Sequence, residues 1–117
     1  MARRIRKGLT VEVRQTGPAS VITVTGSADI AESEKLQAAL DQLTVRRVGL
    51  IVLDLAGMDF ICSVGLGAII TAHLKGRHHK ARIRLVNPQP AVRQVLETTR
   101  LTKLFPIYSD LQEAVKP

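Results

Sequence analysis

Between Asp54 and Gly67 the chain reads Asp-Leu-Ala-Gly-Met-Asp-Phe-Ile-Cys-Ser-Val-Gly-Leu-Gly, a gathering of carboxylates, a thiol, a hydroxyl and glycines. Three chemistries compete for it. A dinucleotide or P-loop site would use Gly65-Leu-Gly67 to bring backbone against phosphate, but the third glycine position holds Ile70, Asn87 stands where the acidic residue belongs, and the Walker lysine is missing. A nucleophilic enzyme would activate Cys62 or Ser63 at the positive end of a helix and then needs a base. His73 lies ten residues on, roughly 15 Å along a helix, too far for a hydrogen bond, and shares an apolar face with Leu66, Ile69 and Ile70. His78 and His79 have no second pair of ligands at metal spacing, and Asp54 with Asp59 reads as a strand-end and a loop aspartate with no evident cleft. Neither catalysis nor a cofactor or metal follows from these residues.

The third chemistry starts from Ser63 at a helix N-terminus. Its plain role is an N-cap, the hydroxyl accepting a first-turn N–H, worth about 1 kcal/mol. A phosphoryl group there would be favoured by the free N–H groups and the helix dipole, leaving the helix intact while adding a charge of about −1.5 to −2 to the surface. Such a change alters an interface, not a fold. Cys62 next to it admits a redox reading, set against the simpler one of a small apolar loop residue without a resolving partner.

These residues need elements to hold them. Val11 and Val13 alternate with Glu12 and Arg14 as in a half-wet strand, Gln15 to Ser20 reads as a turn, and Val21 to Thr25 as a second strand of the same hairpin. Asp29 with Glu32 forms a capping box ahead of a helix with Leu36, Ala39, Leu40 and Leu43 on one face. Val48 to Leu55, apolar almost throughout, is the central strand, covered on both faces. Ala56 to Cys62 is then a loop, followed by a helix with Leu66, Ile69, Ile70, His73 and Leu74 at helical spacing up to Gly76. A strand at Ile83 to Val86, a helix opened by Pro90 with Val92, Val95 and Leu96 inward, a strand at Leu104 to Ile107 and a last helix capped by Ser109 complete the chain. The alternation predicts one α/β domain over residues 1–117, a mixed, mostly parallel sheet of about five strands with about four helices, preceded by a flexible basic arm at 1–8.

At 117 residues, with 45% hydrophobic and 23% charged, there is room for one core and no need of disulfides. Lone Cys62, no apolar leader and no apolar run near 18 residues suit the cytoplasm. The 17 Lys plus Arg against 10 Asp plus Glu, net +7, cluster at Arg3, Arg4, Arg6 and Lys7, at Arg46 and Arg47, and from Lys75 to Arg84. With only Phe60, Phe105 and Tyr108 as aromatics there is no base-stacking platform, so the surface reads as solvated, polyanion or anionic-lipid binding being the rival.

The Asp54–Gly67 segment resembles the signature loop of STAS domains, the anti-sigma factor antagonist family: Asp-Leu-Ser, a few residues, an apolar residue, Asp-Ser-Ser/Thr-Gly-Leu-Gly, then an apolar helix. Gly26-Ser-Ala-Asp29 and the proline at the start of the third helix carry the likeness over most of the chain. The resemblance implies a cytoplasmic, non-enzymatic partner switch that binds an anti-sigma factor doubling as a serine kinase and is released by phosphorylation. By it Ser63 matches the phosphoacceptor, Asp54 the aspartate ending the central strand, Asp29 the acidic residue of the neighbouring loop, and Gly65 and Leu66 the helix-opening pair. The partner-binding surface would then comprise Asp29, Asp54, Asp59, Cys62, Ser63, Val64, Gly65, Leu66 and Gly67, the glycines suiting close backbone approach. Cys62 replaces the usual Asp, Val64 the usual Ser or Thr, and Ala56 the usual Ser, and losing that Asp removes a negative neighbour from the serine. The same family also implies an alternative, a phosphorylation-independent subunit of a transport or multi-protein signalling complex, while the basic surface keeps a third, nucleic-acid or lipid binding.

Overall fold

The computed structural model describes residues 8–117, so all but the last residue of the expected basic arm lies outside the described residues. Strands β1 (Leu9–Thr16) and β2 (Ala19–Ala28) pair antiparallel, with Thr16 opposite Ala19. The turn is therefore only Gly17 and Pro18, not Gln15 to Ser20: those two polar residues face each other across the ladder, Ser20 Oγ donating to Gln15 Oε1 at 2.9 Å. The rest follows as α1 (Ser33–Val45), β3 (Leu50–Ile61), α2 (Ser63–Gly76), β4 (Arg82–Val86), α3 (Pro90–Thr98), β5 (Ile107–Tyr108) and α4 (Leu111–Ala114). The sheet runs β1-β2-β3-β4-β5, parallel everywhere except the first pair, which is the mixed five-stranded α/β architecture the alternation predicts.

The central strand β3 divides two apolar clusters by its period of two. Ile51, Leu53 and Leu55 enter the larger core with Leu36, Leu40 and Leu43 of α1, Ile69 of α2 and Leu96 of α3. Leu50 and Val52 face the other side, where Val21, Val86 and Ala114 meet them under α4. The expected end of β3 at Leu55 is wrong by six residues. Ala56 to Ile61 continue the strand against Thr25 to Ala28, with irregularities between Thr23 and Thr25 and between Gly26 and Ser27. These shifts space the buried residues Leu55, Met58 and Ile61 by three, which hides the strand from a period-two reading. Gly26 sits at φ +106°, and a Cβ there would run into the Gly8 carbonyl.

Other boundaries move for local reasons. Asp29 Oδ1 accepts the Glu32 N–H at 2.9 Å as a capping residue would, but α1 begins only at Ser33. The Glu32 carboxylate accepts the Leu9 N–H at 2.8 Å and pairs with Lys35 at 3.1 Å, tying the start of β1 to the helix. Those partners, the Leu9 N–H first, hold the Glu32 carboxyl below its usual range. The strand expected at Leu104 to Ile107 shrinks to Ile107–Tyr108 because a 3₁₀ turn at Leu101–Lys103 draws Phe105 into the core, where its ring meets His73 edge-on at 5.4 Å. Helix α4 is capped by Asp110, which accepts the Gln112 N–H at 2.9 Å, one residue after the expected Ser109.

The basic stretch from Lys75 to Arg84, expected to be solvated throughout, divides. Arg84 is only 8% exposed, since alternation in β4 turns it toward α4. There Nη1 donates to the Ala114 carbonyl at 2.9 Å and to the Lys116 carbonyl, and the guanidinium lies 5.4 Å from the Tyr108 ring. Helix C-terminal carbonyls lack intrahelical donors, which is why a cation is accommodated at that point. Leu74, expected on the apolar face of α2, points to solvent. Among the described residues no helix is long and apolar enough to cross a membrane.

Candidate functional site

Strand β4 stops at Val86 opposite Asp54 and β1 begins at Leu9 opposite Gly26, so past Gly26 and Met58 the ends of β2 and β3 run on as a two-stranded ribbon. The two strands are parallel and end level, Ala28 opposite Ile61. Each is followed by a helix, so the N-termini of α1 and α2 emerge side by side at the apex. The Cys62 N–H donates to the Ala28 carbonyl at 2.9 Å, and Cys62 Sγ lies 3.5 Å from Ser33 Oγ on the neighbouring helix. Gly65 permits this closeness: a Cβ would stand 2.8 Å from Ile61 Cγ1 and 3.2 Å from Ser33 Oγ.

Ser63 is the first residue of α2, and the cap position belongs to Cys62, whose backbone is extended at φ −92°, ψ 177°. The expected N-cap role for Ser63 is therefore not the one it takes, because its own backbone is already helical. Its side chain is exposed, and its hydroxyl has no hydrogen-bond partner among the described residues. Cys62 makes no side-chain cap bond. Burial pushes the thiol up, but the dipoles of the Gly65 and Val64 N–H groups and the Ser33 hydroxyl outweigh it and bring the thiol below its usual range. Ser33 already donates its single proton to the Asp29 carbonyl at 2.6 Å, so the α2 N–H groups are the better donors to sulfur.

Among the described residues the apex is apolar and uncovered. Ile30 is 71% exposed, Phe60 50% and Val64 40%. Ile30 and Phe60 line, with Asp29, Ala31 and Cys62, an open depression of about 490 Å³ beside the serine. Asp59 lies on the ribbon, accepting the Ser27 hydroxyl at 2.5 Å. Asp54 does not join them. It sits within β3, seven residues before the strand's end, on the face shared by Leu50 and Val52, and accepts the Ala56 N–H at 3.2 Å. Gly65 and Leu66 are buried and support the helix start, leaving Ser63, Val64 and half-buried Gly67 as its outward positions. Ile30 and Ala31 escaped the sequence reading. Their signal was there, since Ile30 falls outside the helical repeat of Leu36, Leu40 and Leu43 and so has no internal place to go.

Comparison with known proteins identifies the family and the fold. The family model described as STAS domain matches residues 10–114. The anti-sigma-F factor antagonist RsfB of Mycobacterium tuberculosis is 24% identical over 107 residues, covering 92% of this chain and 87% of that protein. A crystal structure of an anti-sigma factor antagonist from Mycobacterium paratuberculosis superposes with a TM-score of 0.84 at 28% identity, over 92% of each chain. The antagonist SpoIIAA in its unphosphorylated form shares the fold, with a TM-score of 0.80 at 21% identity over 91% of this chain and 93% of that one.

Proposed function

This chain belongs to the STAS domain family, and from that premise we propose that it is a cytoplasmic, non-enzymatic anti-sigma factor antagonist that binds a kinase-type anti-sigma factor through its apex and is switched off by phosphorylation of Ser63. The observation that carries the reading is an exposed serine hydroxyl on the first turn of α2, without a hydrogen-bond partner among the described residues, beside an open apolar depression. Relatives named anti-sigma factor antagonists support it.

In the bound state the partner covers Ile30, Phe60 and Val64, whose removal from water supplies the affinity. The kinase then transfers the γ-phosphoryl group of ATP to Ser63 Oγ: the new O–P bond forms, the bond to the β-phosphate oxygen breaks, and the hydroxyl proton leaves to a base on the kinase. The phosphate is tolerated by the domain, since the α2 N-terminus favours an anion. It is not tolerated by the interface, because a strongly hydrated dianion would have to be buried next to apolar side chains and Asp29. Cys62 in place of an aspartate leaves the serine without an adjacent permanent negative charge, so the added phosphate is the larger change in local potential.

The test is calorimetric titration of wild type, Ser63→Ala and Ser63→Asp with a purified kinase-type anti-sigma factor from the same genome. Wild type and Ser63→Ala bind alike, and Ser63→Asp binds about 100-fold more weakly, roughly 2.7 kcal/mol, with an unchanged circular dichroism spectrum. Equal binding by all three overturns the reading.

A further inference from the structure

The sheet ends in two edges that differ in how they are guarded. On one side β5 is two residues long and α4 follows it. On the other, β1 runs for eight residues beside β2 without a bulge, and from Thr10 to Thr16 none of it is buried. Proline, lysine and bulges are common means of keeping a free edge from pairing with another chain, and β1 has none of them.

The hairpin settles which backbone groups of β1 point outward. Thr16 and Ala19 face each other across a two-residue turn that contains Pro18, which has no N–H, so these two residues exchange both ladder bonds. Counting back in twos, Arg14, Glu12 and Thr10 also turn their backbone groups to β2. Gln15, Val13, Val11 and Leu9 turn theirs to the free edge. Leu9 shows the same phase, its N–H going to Glu32 at 2.8 Å and its carbonyl accepting from Lys35 Nζ at 3.1 Å. Among the described residues no such partner reaches the edge groups of Val11, Val13 or Gln15.

The side chains say what fits there. A second copy of β1 can pair antiparallel about a two-fold axis only where outward-turned residues oppose each other. An axis at Glu12 or at Arg14 sets like charges face to face, which is unfavourable across a strand pair. One at Val11 needs the edge groups of Leu9, which are already taken. One at Gln15 runs Val13 into the turn. An axis at Val13 sets Val13 against Val13, Val11 against Gln15, and Glu12 against Arg14 of the second copy in both directions. Neither Glu12 nor Arg14 has an ion-pair partner among the described residues. Val13, 46% exposed at the end of the apolar row of Leu9 and Val11, would be covered by its counterpart.

We infer that β1 is a self-association edge: two copies of this chain pair β1 to β1 antiparallel about a two-fold axis at Val13, joining their sheets into one. Ladder bonds of Val11, Val13 and Gln15 hold the pair, and the opposed charges of Glu12 and Arg14 fix its register. The arrangement sets β2 of the two copies antiparallel, so their apices lie at opposite ends and both stay open. It goes beyond the function proposed above and does not depend on it.

Sedimentation velocity at rising protein concentration, up to about 1 mM because the interface is small, tests it on wild type, Val13→Pro, Glu12→Arg, Arg14→Glu and the double variant. Wild type passes reversibly from monomer to dimer, and by hydrogen exchange the amides of Val11, Val13 and Gln15 gain protection as it does. Val13→Pro, which removes an edge N–H, stays monomeric. Glu12→Arg and Arg14→Glu each weaken the dimer roughly tenfold, since both opposed pairs turn repulsive. The double variant recovers it, and an equal mixture of the two single variants forms a heterodimer more readily than either alone associates. These charge variants keep the test decisive if Val13→Pro does not fold. A wild type that stays monomeric throughout overturns the inference, and so does a dimer that the charge variants and their mixture leave unchanged. Neither outcome touches the proposed function, which the Ser63 variants decide separately.

Discussion

The apex and the α4 face of the sheet treat their side chains in opposite ways. Under α4, even a guanidinium is taken out of water, Arg84 being served by the carbonyls of Ala114 and Lys116 and by the Tyr108 ring. At the apex, isoleucine, phenylalanine and valine stay in water although two helices begin within reach of them. A four-residue helix suffices to cover one face, so exposure at the apex is not for want of covering elements. Burial of a charge needs donors and acceptors fixed in place, which the C-terminal segment supplies; exposure of apolar surface costs free energy that a partner recovers on docking.

That contrast can be broken at either end. The largest effect on stability is expected from Arg84→Met. Losing the charge-assisted bonds to two carbonyls lowers the unfolding free energy by about 2 kcal/mol in urea titrations, while affinity for the anti-sigma factor stays at the wild-type value. A variant as stable as wild type would mean that α4 holds without its cation. Next come Ile30→Ser and Phe60→Ser, for which the expectation is reversed: stability within about 0.5 kcal/mol of wild type, and binding weakened about tenfold each. Loss of folding in either would make these residues part of the core after all.

The smallest effect concerns Cys62. Its thiol titrates lower in the folded chain than the ordinary value of 9.0, so between those two limits the unfolded chain binds more protons and stability rises with pH. The contribution is complete above the unfolded value and lost as pH falls through the folded one. Cys62→Ser removes it, and the gap in melting temperature between wild type and variant should widen from neutral to alkaline pH. A gap independent of pH would show that the α2 N–H groups do not hold the thiolate.

Most of the architecture was legible because it rests on local patterns: the alternation of Val11 and Val13, the apolar run from Leu50 to Leu53, the helical repeats of Leu36 to Leu43 and Leu66 to Ile70, and Pro90 at the start of α3. The misreadings share one cause, contacts distant in sequence. Ala56 to Ile61 became a strand because β2 extends alongside it, with shifts that spoil the period of two. Phe105 left its expected strand because the core had room for a ring against His73. Arg84 looked solvated because its acceptors lie at least 30 residues away.

The candidate site divides in the same manner. The residue types around Ser63 and the helix after it were set by the sequence, because a hydroxyl, small residues and an apolar run at adjacent positions are local facts. Which of them face outward was not. That Gly65 and Leu66 turn in while Val64 and Gly67 turn out, that Asp54 stands on the far face, and that Ile30 joins Phe60 across the ribbon were decided only when β2 and β3 paired in register and brought two helix N-termini together. Side-chain direction in a strand or helix is periodic, but its phase is chosen by packing against chain that lies far away in sequence.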